Sequence, residues 1–305
     1  MSILTRRSAT ALLWVVGLGV YLVVVVVVGW RPIADSFASA RPGPVAAMAG
    51  VTLAALWIRV LKWRVVLGRE ADAVPLFWLS KAAGEWSPGR IGELSPLLLQ
   101  RYRTPRVAAW LVLDRILEMV TTIALGIAGF LLVRAPNRTA MLAAALLVLA
   151  AITAALFVLA QRRIFEYAAS RFASESRLAR ALHFAADTSD DIKRFRSALV
   201  TATVLTVLPG LMDVWAGMLL YQAFDAPVSF ALMAAVKGLH AITSAIPITP
   251  NATGIPYLTA AVLLHEVGRV PSDTLAAAIA LAVALTNVIF WLSASAAARL
   301  LWHKR

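Results

Sequence analysis

The sequence predicts an all-α integral membrane protein with about six spanning helices and two oppositely oriented re-entrant helical hairpins. Three observations carry that reading. Of the 305 residues, 61% are hydrophobic and only 15% charged, with a mean hydropathy of +0.79, whereas a soluble domain carries about a quarter charged residues. Apolar runs of roughly the 17–25 residues needed to span a bilayer recur along the chain. Two further apolar stretches are broken by Ser87-Pro88-Gly89-Arg90-Ile91-Gly92-Glu93 and by Pro247-Ile248-Thr249-Pro250-Asn251-Ala252-Thr253-Gly254, which share the skeleton Pro-x-x-x-Gly.

The unbroken runs read as crossings at 9–30, 45–66, 107–132, 140–160, 198–224 and 273–297. The first follows Arg6 and Arg7 and precedes the small-residue triplet Ala38-Ser39-Ala40, as a secretory leader would. At about 21 residues it exceeds the roughly 7–15 of a leader's apolar region, so it reads as an uncleaved span. The broken segments, 74–100 and 229–268, have apolar arms near the lower limit for crossing about 30 Å of hydrocarbon, so each dips in and turns back. Irregular backbone at that depth survives only where protein or a wet cavity satisfies it, which makes the two turns the expected walls of a substrate site.

Basic residues set the orientation. With the N-terminus inside, the inner stretches hold 22 of the 29 Lys and Arg and the outer stretches five, while Arg115 and Lys237 fall within membrane segments. That bias places both termini in the cytoplasm. The first hairpin then enters from inside and the second from outside, as in an inverted repeat around a midplane site. The chain is a single transmembrane domain, 1–305, of two halves, 1–135 and 136–305. The inner segment 161–197 alternates arginines with Phe, Leu and Ile and reads as an amphipathic helix on the anionic leaflet, or as a topology determinant that happens to be helical.

Several function classes fall away. Without cysteine there is no disulfide, thiolate nucleophile or thiolate metal site, and His183, His240, His265 and His303 are too scattered for zinc. The net charge of +13 follows from the inward bias of basic residues rather than from nucleic-acid binding. No nucleotide loop or soluble catalytic domain appears, so no cofactor is expected.

Within the first break, Gly89 and Gly92 permit tight turning and close approach, and Pro88 keeps Ser87 extended. A helix resuming near Ile91 would aim free N–H groups at an anion, with Arg90 adding a fork of donors suited to phosphate. Glu85 and Glu93 either hold Arg90 or carry a proton; alternatively Arg90 snorkels to the headgroups and the glycines only serve packing. Asp114, Arg115 and Glu118 lie on one helix, Asp114 and Glu118 four apart and Arg115 within reach of Glu118. Each would be costly facing lipid, so they face inward, as a packing cluster or as a phosphate or proton site. Lys237 and His240 share a face of the helix entering the second break. Lys237 meets a phosphate or neutralises Asp213, and Thr249, Asn251, Thr253 and Gly254 supply polar contacts or caps at the turn. Pro209-Gly210 predicts a kink one turn before Asp213. Trp57, Trp63, Trp78 and Trp86, with Arg59, Lys62 and Arg64, read as an interfacial belt.

The block Trp63-Arg64, Pro88-Gly89-Arg90-Ile91-Gly92-Glu93, Asp114-Arg115-Ile116-Leu117-Glu118, then Ile246-Pro247-Ile248-Thr249-Pro250 and Gly254, resembles the lysylphosphatidylglycerol synthase transmembrane, flippase-like family across nearly the whole chain. The resemblance implies a polytopic inner-membrane protein related to the domain that moves an aminoacylated phospholipid between leaflets. Stand-alone relatives handle lipids or polyprenyl-phosphate carriers, and this chain lacks the soluble aminoacyl-transferase domain. The family's second turn reads Pro-Gly-Gly-x-Gly with a glutamate soon after. Here Asn251 and Ala252 replace the glycine pair and Pro256-Tyr257 stand near the acid's place, so its role is lost or passes to Glu266 or Glu93.

The expectation is a flippase or transporter for an anionic phospholipid or polyprenyl-phosphate-linked lipid. Arg90 and Arg115 would bind the phosphate from the inner side, and Lys237 with the Thr249–Gly254 turn from the outer side. Two alternatives stand beside it: an intramembrane enzyme using Glu85, Glu93, Asp114 or Glu118 as acid or base, and a non-transporting partner of a glycosyltransferase or lipid-synthesis complex. Membrane lipids are the expected partners, and a homo-oligomer or a lipid-synthesis enzyme partner stays open.

Overall fold

The computed structural model describes residues 26, 29–68, 72–85, 87, 90–135, 137–173, 176–244 and 255–302. Among them are eleven α-helices and no strand: α1 (Trp30–Ala38), α2 (Pro42–Leu67), α3 (Ala73–Glu85), α4 (Pro105–Leu132), α5 (Arg138–Leu159), α6 (Arg162–Ala169), α7 (Arg177–Arg194), α8 (Leu199–Gln222), α9 (Phe230–Ser244), α10 (Ile255–Glu266) and α11 (Ser272–Trp302). Helix starts follow local chemistry. Pro42 and Pro105 occupy first-turn positions where no donor is needed, the Thr104 hydroxyl accepts the Val107 N–H at 3.3 Å, and α2 stops at Gly68 with φ 81°.

Five helical runs are long and apolar enough to cross a membrane: α2, α4, α5, the continuous run from Arg177 through Gln222, and α11. They coincide with the predicted crossings from 45–66 onward; the crossing at 9–30 lies almost wholly outside the described residues. Helix α8 runs unbroken through the buried Pro209. Helix α5 leans on α4 and α9 and leaves Leu146, Leu147 and Phe157 more than half exposed, a surface suited to lipid.

Between α3 and α4 the chain doubles back. It resumes at Ile91 as a 3-10 helix, Ile91–Leu98, rather than the α-helix expected there, with Pro96 inside and Arg90 left-handed at φ 58° before it. The Ser80 hydroxyl donates to the Glu93 carbonyl at 2.7 Å and Ser95 to Leu79 at 3.4 Å, which fixes the two arms antiparallel. A Cβ at Gly92 would lie 1.9 Å from the Ala83 carbonyl oxygen. The close approach that glycine permits is therefore to helix α3. Helices α9 and α10 form a second hairpin, with His240 edge-on to Tyr257 and Gly268 beside Leu232.

The hairpins approach from opposite ends of α4. Trp63 touches both Phe77 and Trp110, and Lys81 reaches Asp114 and Glu118, so α3 runs alongside α4 from its start. Gly129 abuts Ala231 and Ala235, and Gly126 abuts Gly238, so α9 descends from the other end. Packing is reciprocal: the first half's hairpin leans on α11, the second half's on α4, and α2 and α8 pair between them.

The α4–α9 crossing depends on glycine both at Gly129 and where Gly126 meets Gly238. A Cβ built at Gly238 would sit 2.4 Å from the Gly126 Cα, a backbone atom that cannot move aside. Gly238→Val is expected to lower the melting temperature of purified protein by well over 5 °C, whereas Gly50→Ala, inside α2 with nothing within 4 Å of its Cβ, leaves it the same or slightly raised.

The segment 161–197 forms two helices rather than one. Helices α6 and α7 pack together, and the Ser189 hydroxyl donates to the Leu159 carbonyl at 2.7 Å. Arg162 clamps the pair, donating to Glu166 on its own helix and to Asp190 on α7. The Arg162 hydrogen bond holds the Asp190 carboxyl below its ordinary range. This contribution is complete above the unfolded carboxyl's value, about 3.9, and is lost as pH falls through the lower folded value. The protection factor of amides in α6, measured against the unprotected rate at each pH, is expected to stay constant from pH 7 to about 5 and to fall only below about 4.

The tryptophan belt needs correction. Trp63 and Lys62 are fully buried and Trp78 nearly so; Trp63 sits edge-on to Phe77 at 5.6 Å and to Trp110 at 6.3 Å. Trp57, 57% exposed, keeps an outward position, and Trp86 lies outside the described residues.

Candidate functional site

A cavity of about 320 Å³ opens at the centre, where the two hairpins face each other between α2, α4, α8 and α11. Its lining mixes apolar side chains, among them Met48, Leu56, Met119, Leu220 and Phe290, with the charged and polar Arg59, Lys81, Glu85, Arg90, Arg115, Glu118, Asp213, Lys237 and His240. The first hairpin contributes Lys81, Glu85 and Arg90, and the second Lys237, His240, Ser244 and Tyr257. Gly89, Thr249, Asn251, Thr253 and Gly254 lie outside the described residues.

Most of these charges answer one another. Lys62 Nζ lies 2.6 Å from Asp114 Oδ1 and donates to the Thr206 hydroxyl at 3.1 Å. Lys81 Nζ donates to Asp114 Oδ2 at 2.9 Å and to Glu118 Oε2 at 2.8 Å. Arg59 pairs with Asp213 at 2.6 Å and stands 3.6 Å from Glu118. Arg90 Nε lies 2.8 Å from Glu93 Oε1, with its other arm 3.6 Å from Glu85. Charges this deep are tolerated only when paired, because each ion stripped of water costs several kcal/mol.

Two cations stand apart. Among the described residues Arg115 comes no nearer a carboxylate than 3.9 Å, to a Glu93 oxygen that Arg90 already holds. Lys237 makes no ion pair among the described residues, although it lines the cavity. Taken together, Arg59, Lys62, Lys81, Arg90, Arg115 and Lys237 face Glu85, Glu93, Asp114, Glu118 and Asp213, which leaves one positive charge in excess.

Several sequence expectations shift accordingly. Arg115 does not take Glu118 as its partner; Glu118 belongs to Lys81, and Arg115 turns toward Glu93. Asp213 is neutralised by Arg59 rather than by Lys237. Glu93 and Asp114 lie behind the cavity wall, and Gly92 faces α3, its N–H donating to the Ser87 hydroxyl at 2.7 Å. Glu266 is exposed at the end of α10, so of the two candidates for the family's missing acid only Glu93 adjoins the site. Arg59 and Lys62 read in the sequence as part of an interfacial belt and Lys81 was not singled out, yet a signal existed. Lys81 is the one charged residue in the apolar stretch 73–84, the feature that singled out Lys237. Counting it among the inner basic residues concealed it.

A bundle of apolar helices long enough to span a membrane, enclosing a charged cavity between two helical hairpins, defines a multi-pass membrane protein. The chain belongs to the family described as the lysylphosphatidylglycerol synthase TM region, whose model matches residues 14–294. That membership ties it to membrane-lipid chemistry. No curated protein matches the chain, and no solved structure does.

Proposed function

We propose that this protein is a lipid flippase or transporter of the inner membrane, with both termini cytoplasmic. It moves a lipid with an anionic phosphate headgroup between leaflets. One observation carries the reading: two cations, Arg115 from the first half and Lys237 from the second, line one cavity with no close carboxylate partner among the described residues. A half-buried cation with no close partner is unfavourable, and a ligand phosphate relieves it. The headgroup occupies the cavity while its chains stay in the surrounding hydrocarbon. The two hairpins act as re-entrant elements that give access from opposite leaflets. Movement is downhill or coupled to an ion gradient.

Purified protein in vesicles, supplied with labelled phosphatidylglycerol, tests this. Chemically unchanged lipid appearing in the opposite leaflet, at a rate above protein-free vesicles, is the expected result. A covalently altered lipid would replace the transporter with an enzyme using the cavity's carboxylates. Neither outcome without a stoichiometric co-purifying protein would favour a partner role.

A further inference from the structure

The site's charge balance says more about the headgroup than its sign. Every described carboxylate facing the cavity lies within 3.6 Å of a protein cation: Glu118 by Lys81, Asp213 by Arg59 and Glu85 by Arg90. A ligand ammonium would have to break one of these pairs to find a counter-charge. A ligand anion has Arg115 and Lys237 at no such cost. His240 stands edge-on to Tyr257 and has no carboxylate partner among the described residues. The undescribed turn 245–254 contains no ionisable side chain, so the excess of one cation is unchanged by it.

In a low-dielectric cavity the most favourable occupant is the one that brings the total to zero. We infer that the headgroup carries a single net negative charge, a phosphodiester monoanion. Lysylated phospholipids, whose headgroup is net cationic, and diphosphate-linked carriers, which bring more than one negative charge, are disfavoured. The inference deepens the transport reading and rests on it for the identity of the cavity, but charge preference is measured by binding, without transport. Two sources supply this chemistry: a phospholipid such as phosphatidylglycerol, and a polyprenyl chain joined to a sugar through one phosphate.

The experiment is native mass spectrometry of the full chain offered an equimolar mixture of phosphatidylglycerol, phosphatidylcholine, lysylphosphatidylglycerol, a polyprenyl phosphodiester and a polyprenyl diphosphate. Wild type is expected to retain one or both monoanions over every other lipid by at least about ten-fold, as one charge-assisted contact is worth. Which monoanion wins distinguishes the two sources. Lys237→Gln, which brings the cavity to neutrality, is expected to erase the preference over phosphatidylcholine. Asp213→Asn, at a side chain 35% exposed, adds a positive charge and is expected to shift retention toward the diphosphate. The same order of retention in all three proteins, or preferred retention of lysylphosphatidylglycerol by wild type, overturns the inference. A monoanion preference in a protein that exchanges no lipid overturns the transport reading alone.

Discussion

Asp114→Asn is expected to destabilise the folded protein by about 3–5 kcal/mol, the cost of leaving buried charges without their partner. Asp114 is 1% exposed and is the close counter-ion of two lysines: Lys62, itself 0% exposed, at 2.6 Å and Lys81 at 2.9 Å. Asparagine keeps the shape but not the charge. Lys62 then retains only the Thr206 hydroxyl, which already donates to the Ala202 carbonyl, and a glutamate 3.8 Å away. Removing charge from both sides together differs in kind, because well-packed apolar replacements of a buried pair are often neutral or better. Lys62→Met combined with Asp114→Leu is therefore expected to recover most of the melting temperature that Asp114→Asn loses. Equal melting temperatures for Asp114→Asn and wild type would mean that the cluster does not stabilise α2, α3 and α4 against one another.

Arg115→Ala is expected to act in the opposite manner, leaving the melting temperature near that of wild type while slowing leaflet exchange of phosphatidylglycerol roughly 30- to 100-fold, the range of one charge-assisted phosphate contact. Its nearest carboxylate, Glu93, keeps Arg90 at 2.8 Å, so no charge is stranded when Arg115 is removed. Arg90→Ala impairs exchange as well, but by another route: it deprives Glu93 and Glu85 of their neighbour, and a lower melting temperature accompanies the loss. This contrast separates an arginine that meets ligand from one that holds the hairpin. Arg115→Lys keeps the charge without the planar fork and is expected to retain part of the activity. Exchange at the wild-type rate in Arg115→Ala would remove Arg115 from the site.

Much of this architecture was legible in the residues, for physical reasons that differ from element to element. Span length and hydropathy place α2, α4, α5, α8 and α11, because the thickness of the hydrocarbon dictates both. The Pro-Gly break after Ser87 marks the first reversal, because proline and glycine act on the backbone locally. The 3-10 form of Ile91–Leu98 was less accessible, since it depends on how near Gly92 lies to Ala83 in space. Charge pairing was the least legible. The Asp114, Arg115 and Glu118 cluster announces itself on one helix, but its partners Lys62 and Lys81 arrive from α2 and α3, and only the folded chain brings them within 3 Å. Sequence proximity suggested Arg115 with Glu118, and three-dimensional packing assigned Glu118 to Lys81 instead.

The central claim, that the junction of the two hairpins holds an anionic headgroup, is tested most directly through a thiol placed there. The chain contains no cysteine, so Ala241→Cys, one turn beyond Lys237 and on the cavity wall, carries a unique label site. Its rate of modification by a small thiol reagent, measured in vesicles, is expected to fall several-fold when phosphatidylglycerol is added to phosphatidylcholine, and to stay unchanged once Arg115→Ala is introduced. Modification at one rate in both lipids, with Arg115 intact, would contradict it.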